Sequence, residues 1–252
     1  MTIRQSTGLR NLLCGNDGFA SALKNGEIRI YTGTQPATAD AAVTGTLLGV
    51  VTKDGAARVA EVQASATLTL SGSAGSIDAV TVGGLGILQG GPVAFATDLA
   101  TTAQRLAAAI TLSGVCTATA AGAVVTVRAP AGTGASWNGA VLASTTTTLA
   151  AAASGNLAGG VDAANGLRFS APSGGMVAKV VDDVWRFNGL ATGSAGWFRF
   201  VGNAEDAGLA STTHVRLDGS IGPAGDMVLA SVAITAGAPN TIDAFSYTIP
   251  AV

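Results

Sequence analysis

The sequence predicts a mainly β protein, a β-sandwich of jelly-roll or immunoglobulin-like type built from residues 1–60 and 163–252 and interrupted by a small α+β insertion at 61–162 with one main helix. Three observations lead there. Strand-like stretches recur about every ten residues with Gly, Asn and Asp turn signals between them, at 27–52 and again beyond 163, the mark of a sandwich or barrel. One stretch, 98–112, has convincing helical spacing over several turns, and it stands between two pairs of strand-like segments. With 48% hydrophobic but only 5% aromatic residues, the core must come from Val, Leu, Ile and Ala, with Trp137, Trp185, Trp197 and a few Phe as anchors.

The first part opens with Leu9, Leu12 and Leu13, then Phe19, Ala22 and Leu23, at spacings of three and four that fit helical turns interrupted by Asn16-Asp17-Gly18. Asn25-Gly26 signals a turn, after which 27–31 alternates polar and apolar as a half-buried strand does. Gly33 and Pro36 end it, 37–44 reads as an ordered loop, and 46–52 is a second strand closed by Asp54-Gly55.

In the insertion, 64–70 and 77–82 read as a hairpin around a turn at 72–76. The helix follows at 98–112, with Thr97 as N-cap, Leu99, Ala103, Leu106 and Ile110 on one face and Gly114 as its stop. A second hairpin, 115–120 with 123–129, turns at Ala121-Gly122. Strand, strand, helix, strand, strand describes a unit that buries one helix face on a sheet. The tail, 144–160, is Ala, Thr, Ser and Gly without a period, a linker or low-complexity edge strands. Beyond Asp162, strands are expected at 166–169, 176–181, 184–187, 196–201, 214–217, 227–234 and 242–249, with Asp182-Asp183 and Asp218-Gly219 in hairpin turns and Glu205-Asp206 in a solvated loop.

The chain offers little for chemistry. Charged residues make up 11%, against roughly 25% in ordinary soluble domains, and the net charge of −2 with no basic cluster excludes a nucleic-acid footprint. Lys24, Lys53 and Lys179 stand in no Walker context, and Gly83-Gly84-Leu85-Gly86 and Gly132-Thr133-Gly134 complete no dinucleotide fingerprint. No serine stands in a nucleophile elbow. His214 is the single imidazole, so a multi-histidine metal site is excluded, and it reads as a strand-face residue. Adjacent Asp182 and Asp183 point to opposite faces, unlike a catalytic pair, and no calcium-loop spacing joins Asp162, Asp182 and Asp206. The expectation is no catalytic residue, no metal and no cofactor. Residues 1–10 lack the succession of a signal peptide, and Pro130, repeated Gly and Thr145–Thr148 break the uncharged stretch before Asp162, so no membrane span is expected. Cys14 and Cys116 fall in different units and are expected to be reduced, small apolar side chains rather than a disulfide.

The densest aromatic site is Gly193-Ser-Ala-Gly-Trp-Phe-Arg-Phe200. Alternation puts Trp197, Arg199 and Val201 on one face and Phe198 and Phe200 on the other, so one face fills the core and the other is a candidate interface. The candidate partner-contact residues are therefore Leu9, Leu12, Leu13, Tyr31, Trp197 and Arg199.

Two stretches carry a resemblance. Gly26-Glu-Ile-Arg-Ile-Tyr-Thr-Gly-Thr-Gln-Pro36 and on to Gly49, with Ser6-Thr-Gly-Leu-Arg-Asn-Leu-Leu13 before it, resembles the opening of a group of virion structural proteins from tailed bacteriophages. Gly189-Leu-Ala-Thr-Gly-Ser-Ala-Gly-Trp-Phe-Arg-Phe200, Val215-Arg-Leu-Asp-Gly-Ser220 and Ala238-Pro-Asn-Thr-Ile-Asp243 resemble its end. In shorter members the two parts run nearly continuously, which implies that the middle is inserted. The insertion is similar to a module recurring in phage structural proteins, through Ala79-Val-Thr-Val-Gly83, Thr102-Ala-Gln-Arg-Leu-Ala-Ala-Ala-Ile110, Ala123-Val-Val-Thr-Val-Arg-Ala129, Gly134 and Asn138-Gly139, although it lacks the usual Asn after the helix.

The resemblance implies a non-enzymatic virion protein assembled in the bacterial cytoplasm, with no catalytic residue to carry over. The leading expectation is a capsid decoration or cement protein, a homo-oligomer whose partners are the major capsid protein and its own copies. Residues 2–13 would be an arm reaching a neighbouring subunit. The alternatives are a tail tube, collar or baseplate component contacting tail proteins, and a receptor- or glycan-binding module using the aromatic face near Trp197 and the inserted module.

Overall fold

The computed structural model describes residues 3–15 and 18–248. Thr2, Asn16, Asp17 and Ile249, expected in the arm, a turn and the last strand, lie outside the described residues. The chain is mainly β, with several antiparallel sheets. It divides into two compact units, Met1–Ala60 with Ala163–Val252, and Glu61–Asp162.

The first, flanking unit is organised on one eight-stranded sheet. Its order is Arg4–Gln5, Arg216–Ser220, Gly193–Val201, Glu27–Thr32, Leu47–Lys53, Trp185–Asn188 and Pro239–Ile242, with Ala233–Ile234 pairing the start of the third strand. A two-stranded ribbon joins Met176–Ala178 to Ser246–Thr248. Ile28, Ile30, Val51, Phe187, Phe198, Phe200 and Leu217 pack on one face of the large sheet with Leu9, Phe19, Leu23 and Trp185. Close approach requires glycine at position 49, because a Cβ there would lie 2.1 Å from the Phe187 ring.

The helix Thr7–Cys14 begins where Ser6 Oγ accepts from Leu9 N at 3.1 Å, and Phe19–Leu23 continues its apolar side. The expected arm is thus folded back on its own unit. Arg4–Gln5 pairs with Arg216–Ser220, and Ser6 is fully buried, its Oγ donating to His214 O and accepting from Arg216 N.

Several expectations are corrected here. Glu27–Thr32 is covered on both faces, not half-buried, since Glu27 and Tyr31 on one face are buried along with Ile28 and Ile30 on the other. The hairpin of 176–181 with 184–187 does not form: Trp185–Asn188 pairs with Leu47–Lys53 and Pro239–Ile242 instead. The turn between them is held by buried Asp183, which takes Arg168 Nε at 3.0 Å and draws Lys179 Nζ to its own carbonyl. Residues 166–169 make only isolated bridges, and 227–234 contributes strand only at Ala233–Ile234.

The insertion has two sheets and its own core. Ala150–Ala153, Ser65–Ser71, Val124–Arg128 and Thr117–Ala121 form one sheet; Leu142–Thr147, Ser76–Val82, Leu85–Gly86 and Val93–Ala94 form the other. Helix Leu99–Leu112 packs on Thr117–Ala121 and Val124–Arg128, burying Ala103, Leu106, Ala107 and Ile110. Its N-cap is Asp98, one residue later than expected, with Oδ1 accepting from Thr101 N at 2.6 Å. The hairpin of 117–121 with 124–128 forms as its turn signal predicts.

Ser65–Ser71 and Ser76–Val82, by contrast, are not a hairpin. Gly75, with φ +97, brings its Cα to Thr147 O, and the chain there leaves one sheet and enters the other. The low-complexity tail makes the matching step, from Leu142–Thr147 through Thr148 at φ +65 into Ala150–Ala153, an edge strand on each sheet. Asn138 clamps the exit, its side chain exchanging hydrogen bonds with Gly160 O at 2.9 Å and Gly160 N at 2.8 Å.

Candidate functional site

The strand Gly193–Val201 carries the flanking unit's two contrasting layers. On its Phe198 and Phe200 side, the Phe200 ring lies 5.7 Å from Phe169, 5.8 Å from Phe245 and 6.2 Å from Trp185. Offset and edge-on rings at such distances add to the burial of apolar area. Phe19 stacks on Tyr247 at 4.0 Å and closes this layer.

The opposite side is ionic. Trp197 stacks on Tyr31 at 4.6 Å, with the Arg199 guanidinium 5.6 Å from the Trp197 ring. Arg199 grips Asp218 in a two-pronged pair, Nε–Oδ1 2.8 Å and Nη2–Oδ2 2.7 Å, with both side chains fully buried. Arg216 grips Asp206 likewise, Nε–Oδ2 2.6 Å and Nη2–Oδ1 2.6 Å. Beside them, Glu27 bridges Arg29 at 2.7 Å and Arg58 at 3.0 Å. Two planar guanidinium–carboxylate forks fix orientation as well as charge.

The carboxyl groups respond to this setting. Burial alone would raise Asp206, but the Arg216 fork and the Gly208 N–H outweigh it and hold the group below the usual carboxylate range. At Asp218 burial prevails over the Arg199 fork and pushes the carboxyl up. Burial likewise pushes the Tyr31 hydroxyl up. Two sequence expectations fail together: Asp218 lies inside the strand Arg216–Ser220 rather than in a turn, and Asp206 is buried rather than solvated. Glu205, its neighbour, is exposed as expected.

The candidate contact residues are therefore placed inside the unit's own packing. Leu9, Trp197 and Arg199 are fully buried and Tyr31 nearly so, while Leu12 and Leu13 are half-buried against the aromatic core. Of the six, only Leu12 and Leu13 keep part of their surface open, and the aromatic face proposed for glycan stacking is covered. The reason is that alternation along 197–201 distinguishes two faces without saying that one is open; loops from 33–46 and 202–214 cover the second. The signal available in the sequence was Arg199 and Arg216 beside Asp218, charges too costly to bury unless paired.

Among the described residues, no group of three or more His, Cys, Asp or Glu side chains could hold a metal ion. No described helix is long and apolar enough to cross a membrane. Cys14 is exposed, contrary to its expected role as a small core residue, and Cys116 is buried in the insertion's core; both are free thiols. Comparison of the chain with family models, curated proteins and solved structures gave no match.

Proposed function

We propose that the chain is a non-enzymatic structural protein in the virion of a tailed bacteriophage, a capsid decoration or cement protein that binds the major capsid protein and copies of itself. In this reading the flanking unit is a β-sandwich of jelly-roll or immunoglobulin-like type that docks on the lattice. The insertion is a second contact module.

The observation that carries the reading is where the charge goes. Of the chain's few ionisable groups, Glu27, Asp183, Arg199, Asp206, Arg216 and Asp218 are buried and paired within the flanking unit. The surface is rich in Ala, Thr, Ser and Gly, with charges such as Arg10, Lys24, Arg105, Asp182 and Asp243 scattered singly over it and apolar side chains such as Leu112, Leu190 and Leu209 exposed between them. A near-neutral protein with such a surface associates readily, and interfaces between subunits are depleted of charge at their centres. The resemblance of residues 6–49 and 189–243 to phage virion proteins gives that association its setting.

Quantitative mass spectrometry of purified particles tests it. Copies near the number of the major capsid protein support decoration, dozens of copies or fewer move the chain to the tail, and absence from particles ends the reading.

A further inference from the structure

The flanking unit sets most of its arginines against carboxylates. Arg29, Arg58, Arg168, Arg199 and Arg216 each hold one in an ion pair. Among the described residues, Arg4, Arg10 and Arg186 have no such partner. Arg186 stands apart on Trp185–Asn188, donating to Asp54 O at 2.7 Å. Arg4 and Arg10 instead line one cavity of about 570 Å³, walled by Arg4–Gln5, the helix Thr7–Cys14, residues 37–40 and Tyr247.

Unused donors converge on that cavity. Arg4 donates to Pro36 O and Arg10 Nη2 to Thr7 Oγ1 at 2.9 Å, which leaves further N–H groups of each guanidinium without a partner. Tyr247 Oη accepts from Gln5 Nε2 at 2.8 Å and keeps its own hydrogen to donate. Asp218, opposite Arg4 in the sheet, is engaged by Arg199. The acid on the cavity wall, Asp40, is engaged at both oxygens, by Thr7 N at 2.8 Å and Thr7 Oγ1 at 2.7 Å. Two arginines and one aspartate leave the cavity a single positive charge, which one carboxylate balances in the fork geometry used elsewhere in this unit. Phosphate, with its roughly double negative charge, overbalances it beside Asp40.

The walls are fixed before anything binds. Arg199 Nη1 donates to Ala41 O at 3.1 Å and Arg216 Nη1 to Ala39 O at 3.4 Å, so the ionic layer holds the loop by its backbone while Asp40 ties it to the helix. A wall already ordered loses little conformational freedom on docking. A cavity of this size takes more than a lone ion. Arg4–Gln5 is also the outermost strand of its sheet. Ser6 N bonds inward to Arg216 O at 3.0 Å, so the alternation of an antiparallel pair turns the Gln5 N–H and C=O to the open edge. An extended chain can pair there.

We propose that this cavity binds an acidic segment of a partner protein, whose side-chain carboxylate is met by Arg4 and Arg10 while its backbone runs along Arg4–Gln5. The proposal rests on the virion reading only for where that partner stands.

Fluorescence anisotropy of a labelled tetraglutamate peptide titrated with the full chain at low salt tests it, with tetraglutamine as the neutral control. The wild type binds the acidic peptide and not the neutral one. Arg10→Gln and Arg4→Gln each weaken binding about tenfold or more, the scale of a lost charge-assisted hydrogen bond, whereas Arg186→Gln removes the same charge elsewhere and leaves binding unchanged. Arg10 lies exposed on its helix, so its replacement keeps the melting temperature even if that of Arg4, which holds Pro36 O, lowers it. Absence of peptide binding, or equal weakening by Arg186→Gln, overturns the site. Inorganic phosphate that displaces the peptide at equal concentration makes it a small-anion site and overturns the acidic segment. Sedimentation that finds a wild-type oligomer dissolved by Arg10→Gln puts a second copy in the cavity and overturns the foreign partner. A chain that binds through Arg10 but is absent from particles keeps the site and ends the virion reading. A chain abundant in particles without peptide binding does the reverse.

Discussion

In the flanking unit six charged side chains are buried; in the insertion none of Glu61, Asp78, Asp98, Arg105, Arg128 and Asp162 is. The insertion closes itself with Leu68, Leu70, Ile77, Val80, Leu106, Ile110, Val125 and Val127 between two sheets and a helix, all apolar. The flanking unit instead buries both faces of one large sheet, one with rings and aliphatics and the other with arginine–carboxylate forks under loops. Each solution suits a different kind of element. Apolar packing is non-directional and holds elements that bring their own hydrophobic face. Irregular loops bring mostly backbone, whose carbonyls need donors when covered, and guanidinium groups supply several donors in a fixed plane.

Removing one partner of a fork costs the flanking unit most. Asp218→Ala leaves Arg199 buried without its counter-charge, and a loss of about 3–5 kcal/mol is expected from denaturant titration. The double change Arg199→Met with Asp218→Leu recovers most of this, because apolar residues can replace a buried pair, but not all, because Ala41 O loses its donor. In the insertion, Leu106→Ala costs a comparable amount, about 2–5 kcal/mol, and no partner change there repairs it. A double variant no better than Asp218→Ala would show that the layer acts through packing rather than charge.

Acid separates the regions next. Asp206 and Asp183 are both held low in the folded state, Asp183 chiefly by the Arg168 fork. Their stabilisation is present above the unfolded carboxylate value near pH 4 and is lost as pH falls through their lower folded values. Asp218, pushed up by burial, has the opposite sign and offsets part of the loss. Asp78 and Asp98 of the insertion are also held low, by Ser76 and by Thr101 N–H respectively, but these groups sit in solvent, where such contributions are screened. Melting temperatures should therefore fall between about pH 4 and pH 2, and Asp206→Asn should flatten that slope more than Asp78→Asn does. Equal slopes in the two variants would place the acid sensitivity elsewhere.

Much of this contrast was written locally in the sequence, and the part that was not is long-range. The helix at 99–112, the hairpin at Ala121-Gly122 and the strand pair Glu27–Thr32 with Leu47–Lys53 come from short-range periodicity and turn chemistry. The pairing of Ser65–Ser71 is not legible in the sequence, because Gly72 and Gly75 mark a change of sheet as readily as a hairpin. Asp218-Gly219 reads as a turn because the dipeptide is a turn signal wherever it stands, and only the Arg199 partner, a strand away, shows that it is buried. Leu9, Tyr31, Trp197 and Arg199 stand out in the sequence, but whether a large side chain anchors a core or an interface depends on what covers it.

The smallest effect tests whether Trp197 belongs to the ionic layer by its ring or by its N–H. Among the described residues its Nε1 has no acceptor, although the side chain is fully buried, and a buried donor left unpaired costs about 1–3 kcal/mol. Trp197→Phe removes that donor and keeps an aromatic face toward Tyr31 and Arg199, so the gain offsets the lost ring volume and stability changes by less than about 1.5 kcal/mol. Trp197→Ala, which empties the site beneath the loops, costs about 3–5 kcal/mol. If the phenylalanine variant is destabilised as strongly as the alanine one, the N–H has a role that stacking does not account for. The layer would then depend on a polar contact in the Trp197 environment as well as on its arginine forks.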